Sequence, residues 1–303
     1  MDISFWKHHP ISDQSGKLLA EEAIDFQNSF QFDFLKLTPA GNWLAVCYGA
    51  KDENWENDSV GRRKIIRFPL KEIKDFYNLQ HFSFNEKLLV EILEALQICS
   101  AKVDVPVYAT VFCPLSQLIQ ISGLDLFIKT LKTEPKAIFT ALNVITQNTK
   151  KVLEKASQVG VKGLYFVTQH MQSDLITFDL YDQFGKPSDQ DCLNTASSLF
   201  DSIIFHLHGD DCYACISENI TNLSLHCSCK LEETTNSKSI NETEYPVIFG
   251  IPASILSEVS SSEDCKKILN RFPSNTILTC ECVLPLDFPE EKINLWNKLV
   301  KEL

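Results

Sequence analysis

Ile203-Ile204-Phe205-His206-Leu207-His208-Gly209-Asp210-Asp211 is the stretch on which the reading of this 303-residue chain turns. Its apolar half has the length of a buried strand, and the run then breaks into two histidines, a glycine and two acids. Side chains two residues apart on a strand point to one face, so His206 and His208 can aim two imidazoles into one space. That pair suits two-thirds of a metal site. Taken alone it also fits a buried, hydrogen-bonded histidine followed by a loop histidine, which is the commoner arrangement.

Working outward, comparable strands recur along the chain. Residues 4–8, 33–38, 105–112 and 163–169 read as strands before this one, which spans 202–209; residues 222–227, 246–251 and 276–283 follow it. Helical periodicity lies between most of them. Ser15 to Asn28 carries an apolar face of Leu18, Leu19, Ala23, Ile24 and Phe26. Further helices are expected at Asn85 to Cys99, Pro135 to Gly160, Asp189 to Phe200, Ser261 to Phe272 and Glu290 to Leu303. Residues 40–83 show no clear period, and Lys51 to Arg63 reads as an excursion over the strand ends. A short helix is expected at Asp211 to Asn219, and the polar Lys230 to Tyr245 reads as an exposed loop. Strands separated by helices make a parallel sheet. Eight such units in about 300 residues fit an α/β fold of the (β/α)8 barrel type better than a doubly wound sheet. With no linker and no internal repeat, residues 1–303 are expected to form one domain.

Composition narrows the function classes. The chain is 44% hydrophobic with a formal net charge of −12 and no sustained Lys/Arg run, which argues against nucleic acid or an anionic membrane as partner. The N-terminus has neither signal- nor transit-peptide character, and no apolar run approaches the length of a membrane span. Eleven cysteines cannot pair completely, which suits reduced thiols and a cytoplasmic location. Cys212-Tyr213-Ala214-Cys215 and Cys227-Ser228-Cys229 could together make a structural zinc site. The second pair lacks the C-x-x-C spacing, so both read as incidental.

In such a barrel the chemistry gathers at the carboxyl ends of the strands. His8 and His9 end the first expected strand, Cys113 the third, His170 the fourth, His206 and His208 the fifth, His226 the sixth and Cys282 the eighth. Three N/S ligands with an open fourth position are the catalytic zinc arrangement. His206, His208 and Cys282 would supply it, and the open position would take water or a substrate thiol.

The order of Trp6-Lys7-His8-His9-Pro10, Asp33-Phe34-Leu35-Lys36-Leu37-Thr38-Pro39, Gly163-Leu164-Tyr165-Phe166, His206-Leu207-His208-Gly209 and Cys282-Val283-Leu284-Pro285 resembles the uroporphyrinogen decarboxylase (URO-D) superfamily from end to end. The resemblance implies a (β/α)8 barrel, as the strand count does. Decarboxylases of that superfamily carry Arg-Gln-Ala-Gly-Arg after the first strand and an aspartate after the second. Here those places read Lys7-His8-His9-Pro10 and Thr38-Pro39. The cobamide- and coenzyme M-dependent methyltransferases bind zinc with a His-x-Cys pair on the fifth strand and a cysteine on the eighth. That motif is similar to His206-Leu207-His208 plus Cys282, with His208 where the branch has cysteine. The resemblance therefore implies a zinc-dependent, methyltransferase-like enzyme acting on a thiol or a corrinoid-linked methyl group. Its substrate would be a small molecule, its candidate partner a corrinoid protein, and His8, His9, Gln169 and His170 would line the pocket as polar or acid–base groups. One alternative is a decarboxylase-type lyase acting on a tetrapyrrole, with Lys7 and Lys36 rebuilding the carboxylate clamp. Another is a non-catalytic tetrapyrrole- or corrinoid-binding protein.

Overall fold

Eight strands pair in parallel in this computed structural model, which describes residues 1–53, 55, 58–169, 176–209, 212, 220–228, 245–272 and 276–302. They are β1 Asp2–Ile3, β2 Leu35–Lys36, β3 Val107–Phe112, β4 Gly163–Thr168, β5 Ser202–Leu207, β6 Leu223–Ser228, β7 Val247–Ile251 and β8 Ile277–Cys280. Their order is β1-β8-β7-β6-β5-β4-β3-β2. All but Cys212 of the expected 211–219 helix, most of the expected 230–245 loop and His170 lie outside the described residues.

The two edges of this sheet, β1 and β2, meet without forming a ladder. The Asp33 N–H donates to the Ile3 carbonyl (3.0 Å), and the Ile3 N–H donates to Asp33 Oδ2 (2.7 Å). The Ser4 hydroxyl donates to the Phe34 carbonyl (2.8 Å). Edge groups that an open sheet would leave unpaired are thereby satisfied, and the sheet curls into the (β/α)8 barrel. The central strands read as mainly apolar runs because both their faces are covered: every residue of β3 and β4 is buried.

Several helices begin and end where local chemistry requires. The first, Gly16–Phe30, is capped by Ser15, whose hydroxyl accepts from the Leu18 N–H. Its Gly16 faces the helix Lys87–Lys102 so closely that a Cβ would lie 2.2 Å from the Glu91 carbonyl oxygen. Helix Pro135–Gln158 opens with Pro135 in its first turn and ends just before Gly160, whose φ of +93° suits glycine.

The structure departs from expectation at both ends of the first half. The first strand is Asp2–Ile3, not 4–8, because Trp6 and Lys7 pair with a different part of the chain, described below. The aperiodic 40–83 segment holds an antiparallel hairpin, Lys51–Asp52 with Ile65–Arg67, and short helices Trp43–Cys47 and Ile73–Tyr77. It lacks a period because the hairpin stands over the barrel mouth, with Ile66 exposed. Two helices, Pro114–Ser122 and Leu124–Thr133, occupy a segment to which the periodicity assigned nothing. Among the described residues no helix is long and apolar enough to cross a membrane.

Candidate metal centre

His206 is an inner residue of β5, in register with Val167 on one side and His226 on the other. His208 is the first residue past the strand. Its N–H still donates to the Thr168 carbonyl (3.0 Å), so the pairing direction carries through and both rings share a face. Gly209 then turns the chain with a φ of +99°.

Cys282 lies beyond the last strand, not within the expected 276–283 strand. β8 ends at Cys280, which is fully buried, and Glu281 and Cys282 sit on a bend beyond it. Ile3 pairs with Leu278 and Lys7 with Leu284, so four steps along the first segment match six along the last. The extra residues bulge at 281–282. Trp6 fastens this bulge: its indole N–H donates to the Cys282 carbonyl (2.5 Å), while the Leu284 N–H donates to the Trp6 carbonyl (3.0 Å). As a result both Glu281 and Cys282 line the cavity, where strict alternation would have separated them.

His206, His208 and Cys282 converge. One potential ligand atom from each lies within 4.8 Å of the other two, and Cys282 Sγ is 3.4 Å from His208 Nδ1. Tetrahedral Zn–S and Zn–N bonds put a sulfur and a nitrogen ligand about 3.5 Å apart. Neither ring nitrogen of His206 makes a well-formed hydrogen bond, although both are buried. Such atoms cost free energy unless something occupies their lone pairs. The donor set and the orphaned imidazole therefore fit a soft divalent cation. Among the described residues this is the one His/Cys/Asp/Glu group close enough to hold an ion. Cys212 and Cys227 are buried and are not in that group, the Cys212 thiol donating instead to the His208 and Gly209 carbonyls (3.4 and 3.3 Å), and Cys215 and Cys229 lie outside the described residues.

A layer of rings supports the triad. Tyr165 stacks on His206 with centroids 5.2 Å apart, and the His226 ring is 4.7 Å from His206. Tyr165 Oη and His226 Nδ1 share a 2.7 Å hydrogen bond, and His226 Nε2 shares one of 2.9 Å with Thr279 Oγ1. Each ring is held by its neighbours, so the His206 ring has a defined orientation.

The triad opens into a cavity of about 790 Å³ at the carboxyl ends of the strands. Of the residues expected at the site, His8, Lys36 and Gln169 join the triad along its wall. Gln169 Oε1 accepts from Gln120 (2.9 Å). Lys7 and His9 line a separate small crevice, where Lys7 Nζ lies 5.1 Å from the Phe26 ring centroid and His9 faces Glu22 at 3.6 Å. Sequence reasoning missed Arg62, Glu281 and Ser228, which also face the cavity. No period marks Arg62, and only closure of the barrel brings the hairpin over the mouth.

Burial sets the charge states. Desolvation, aided by the Lys36 charge, depresses His8 to about 3; burial also holds His206 well below the usual imidazole range and lowers His208, the latter with help from the Arg62 charge. The imidazoles are thus in the neutral form that metal ligation requires. Desolvation pushes the Cys282 thiol up, with the charges of Lys36 and Arg62 acting in the opposite direction. Lys36 itself is lowered to about 8, chiefly by burial.

Residues 59–303 match the sequence profile described as uroporphyrinogen decarboxylase (URO-D). No curated protein sequence matches the chain. Solved structures share its fold. A methyltransferase from Methanosarcina mazei is 15% identical with a TM-score of 0.75, over 97% of this chain and 87% of that one. A B12-independent methionine synthase from Shewanella sp. W3-18-1 is 11% identical with a TM-score of 0.51, over 95% and 86%. A putative vitamin-B12 independent methionine synthase from Listeria monocytogenes is 12% identical with a TM-score of 0.52, over 99% and 94%.

Proposed function

The chain belongs to the uroporphyrinogen decarboxylase (URO-D) family, and on that premise we propose a zinc-dependent, methyltransferase-like enzyme acting on a small molecule. The observation that carries this reading is the convergence of one ligand atom each from His206, His208 and Cys282, with the buried ring nitrogens of His206 making no well-formed hydrogen bond. The reaction class follows the structural relatives, a methyltransferase and two methionine synthases, and the donor set supports it. When bound, zinc would act as a Lewis acid that makes a thiol in its open position nucleophilic at neutral pH.

The chain's own groups prepare that position. His206 and His208 stay unprotonated, and the Tyr165–His226–Thr279 chain holds the ring layer in place. His8, neutral and with Nδ1 unbonded, can exchange a hydrogen bond with the substrate without adding charge. Gln169, fixed by Gln120, presents a further polar group. A cytoplasmic setting, a corrinoid protein as partner and a single domain over 1–303 belong to the same proposal. Decarboxylation of a tetrapyrrole draws less support. Lys7 faces Phe26 in its own crevice, so Lys36 and Arg62 are the cations that face the cavity among the described residues.

Metal analysis tests the reading. Purified protein should carry about one zinc per chain, and metal at a hundredfold excess over its dissociation constant should stabilise the fold by about 2.7 kcal/mol. For a chain of this size that is a rise of roughly 5 °C in Tm. Cobalt substitution should give a sulfur-to-metal absorption band that disappears in Cys282→Ser. Protein with no bound metal and no thermal shift would sink the proposal.

A further inference from the structure

Lys36, the last residue of β2, is 7% exposed, yet it lines the cavity. Its ammonium lies 4.4 Å from the Tyr165 ring centroid and 5.0 Å from that of Trp6, and it donates to Thr38 Oγ1 at 3.3 Å. Among the described residues no carboxylate lies within ion-pair distance of it. The titratable groups whose fields it shares are Cys280 and Cys282 from the last strand and its bend, His206 and His226 from β5 and β6, and His8 after β1. The histidines are held neutral and the thiols are pushed up, so none offers a formal counter-charge.

A lysine with a structural role recovers the cost of burial from an anion. This one has only a hydroxyl and two aromatic faces. Desolvation in an apolar pocket is, however, how an amine becomes a nucleophile. With its pKa lowered to about 8, Lys36 holds roughly 200-fold more neutral amine at pH 7.5 than an ordinary lysine. The same aromatic faces that stabilise an ammonium also stabilise the iminium that would replace it.

We propose that Lys36 is a carbonyl-reactive amine whose Nζ condenses with an aldehyde or ketone carbon of a small molecule seated in the cavity. The nitrogen lone pair forms the N–C bond as the carbonyl π pair moves onto oxygen. Two of the three ammonium protons leave on that oxygen as water, and one N–H and the positive charge stay on the iminium nitrogen. Ammonium plus carbonyl thus gives iminium plus water, with no oxidant or reductant required. Thr38 Oγ1, already hydrogen-bonded to Nζ, is placed to steady the nitrogen through these proton transfers. The capture needs no metal, because the groups that hold the ammonium, Thr38 Oγ1 and the Tyr165 and Trp6 rings, are not ligands, although the charge of Lys36 acts on His206 and Cys282.

Reductive trapping tests it on the full-length protein as isolated. Propanal, an uncharged probe, is incubated with the protein and sodium cyanoborohydride at pH 7.5 for a short time, and peptides are mapped by mass spectrometry. The Lys36 peptide should carry the propyl group at least tenfold ahead of the exposed lysines, both before and after chelator treatment. The adduct should vanish in Lys36→Arg and persist in Lys7→Arg. The wild-type map decides the matter even if a variant fails to fold. An unmodified Lys36 peptide beside labelled surface lysines overturns the proposal. So does a Lys36 that responds only to added anions, which would make it an anion anchor. Because metal binding is read separately, a failed trap leaves the zinc reading standing, and the reverse also holds.

Discussion

The clamp between Arg63 and Asp13 gives a prediction whose size comes directly from the geometry. Arg63 Nε lies 3.1 and 2.9 Å from the two carboxylate oxygens, Nη2 lies 2.8 Å from Oδ1, and Nη2 also donates to the Pro10 carbonyl at 2.9 Å. The side chains are 10% and 2% exposed. This pair ties the hairpin at the barrel mouth to the loop after β1 that carries His8. In Arg63→Ala, Asp13 would remain buried with Gln14 Nε2 (2.9 Å) as its remaining side-chain donor. Removing one partner of a buried pair costs about 3–5 kcal/mol, because the other charge is left uncompensated, whereas an exposed pair contributes about 0–1 kcal/mol. With Arg63 about one-tenth exposed, the expected loss is about 3 kcal/mol. Urea unfolding reads it as a lower midpoint at unchanged m. The double variant Asp13→Leu with Arg63→Met should recover much of the loss, since no charge then stays buried. A single-variant loss below about 1 kcal/mol would refute the argument, for the pair would then be behaving as a solvated one.

The pH dependence of stability follows from buried groups of opposite sign. His8 and His226 are each depressed to about 3, so the unfolded chain takes up protons below about 6.5 that the native state refuses. Stability should therefore fall from pH 6.5 toward 3, by about 1.4 kcal/mol per pH unit for each histidine. Asp189, buried against the Tyr181 hydroxyl (2.8 Å) and raised to about 7, acts the other way. Its contribution is full below about 3.8 and is lost as pH rises through 7. Asp189→Asn should thus steepen the acid-side loss by about 1.4 kcal/mol per pH unit between about pH 4 and 7, and equal slopes in urea titrations of both proteins would contradict this. Gly250→Ala should destabilise by about 1–3 kcal/mol. The added Cβ would meet Glu281 Cα at 2.4 Å and His226 Nε2 at 2.6 Å, pressing on the bulge and the ring layer together. An unchanged Tm would show that the β7–β8 seam is looser than described.

Local periodicity reports the strand cores and the helix ends. Strand cores such as Val107–Phe112 and Gly163–Thr168 are mostly apolar and buried throughout because both faces are covered, and that signature needs no knowledge of partners. Ser15, Pro135 and Gly160 mark helix ends through their own backbone chemistry. His206 and His208 share a face because the β5 pairing direction carries through to His208. The rest of the site depends on long-range pairing. Cys282, which the sequence nominates as the third ligand, reaches His208 across 74 residues through a bulge created by the mismatch of two segments, and that bulge also brings its neighbour Glu281 to the cavity. Arg62 faces the cavity because a buried ion pair at its neighbour Arg63 latches the hairpin over the mouth. The physical reason is common to both. Periodicity records how each residue sits relative to its own backbone, whereas the distance between strand ends is set by register and by hydrogen bonds between segments far apart in the chain.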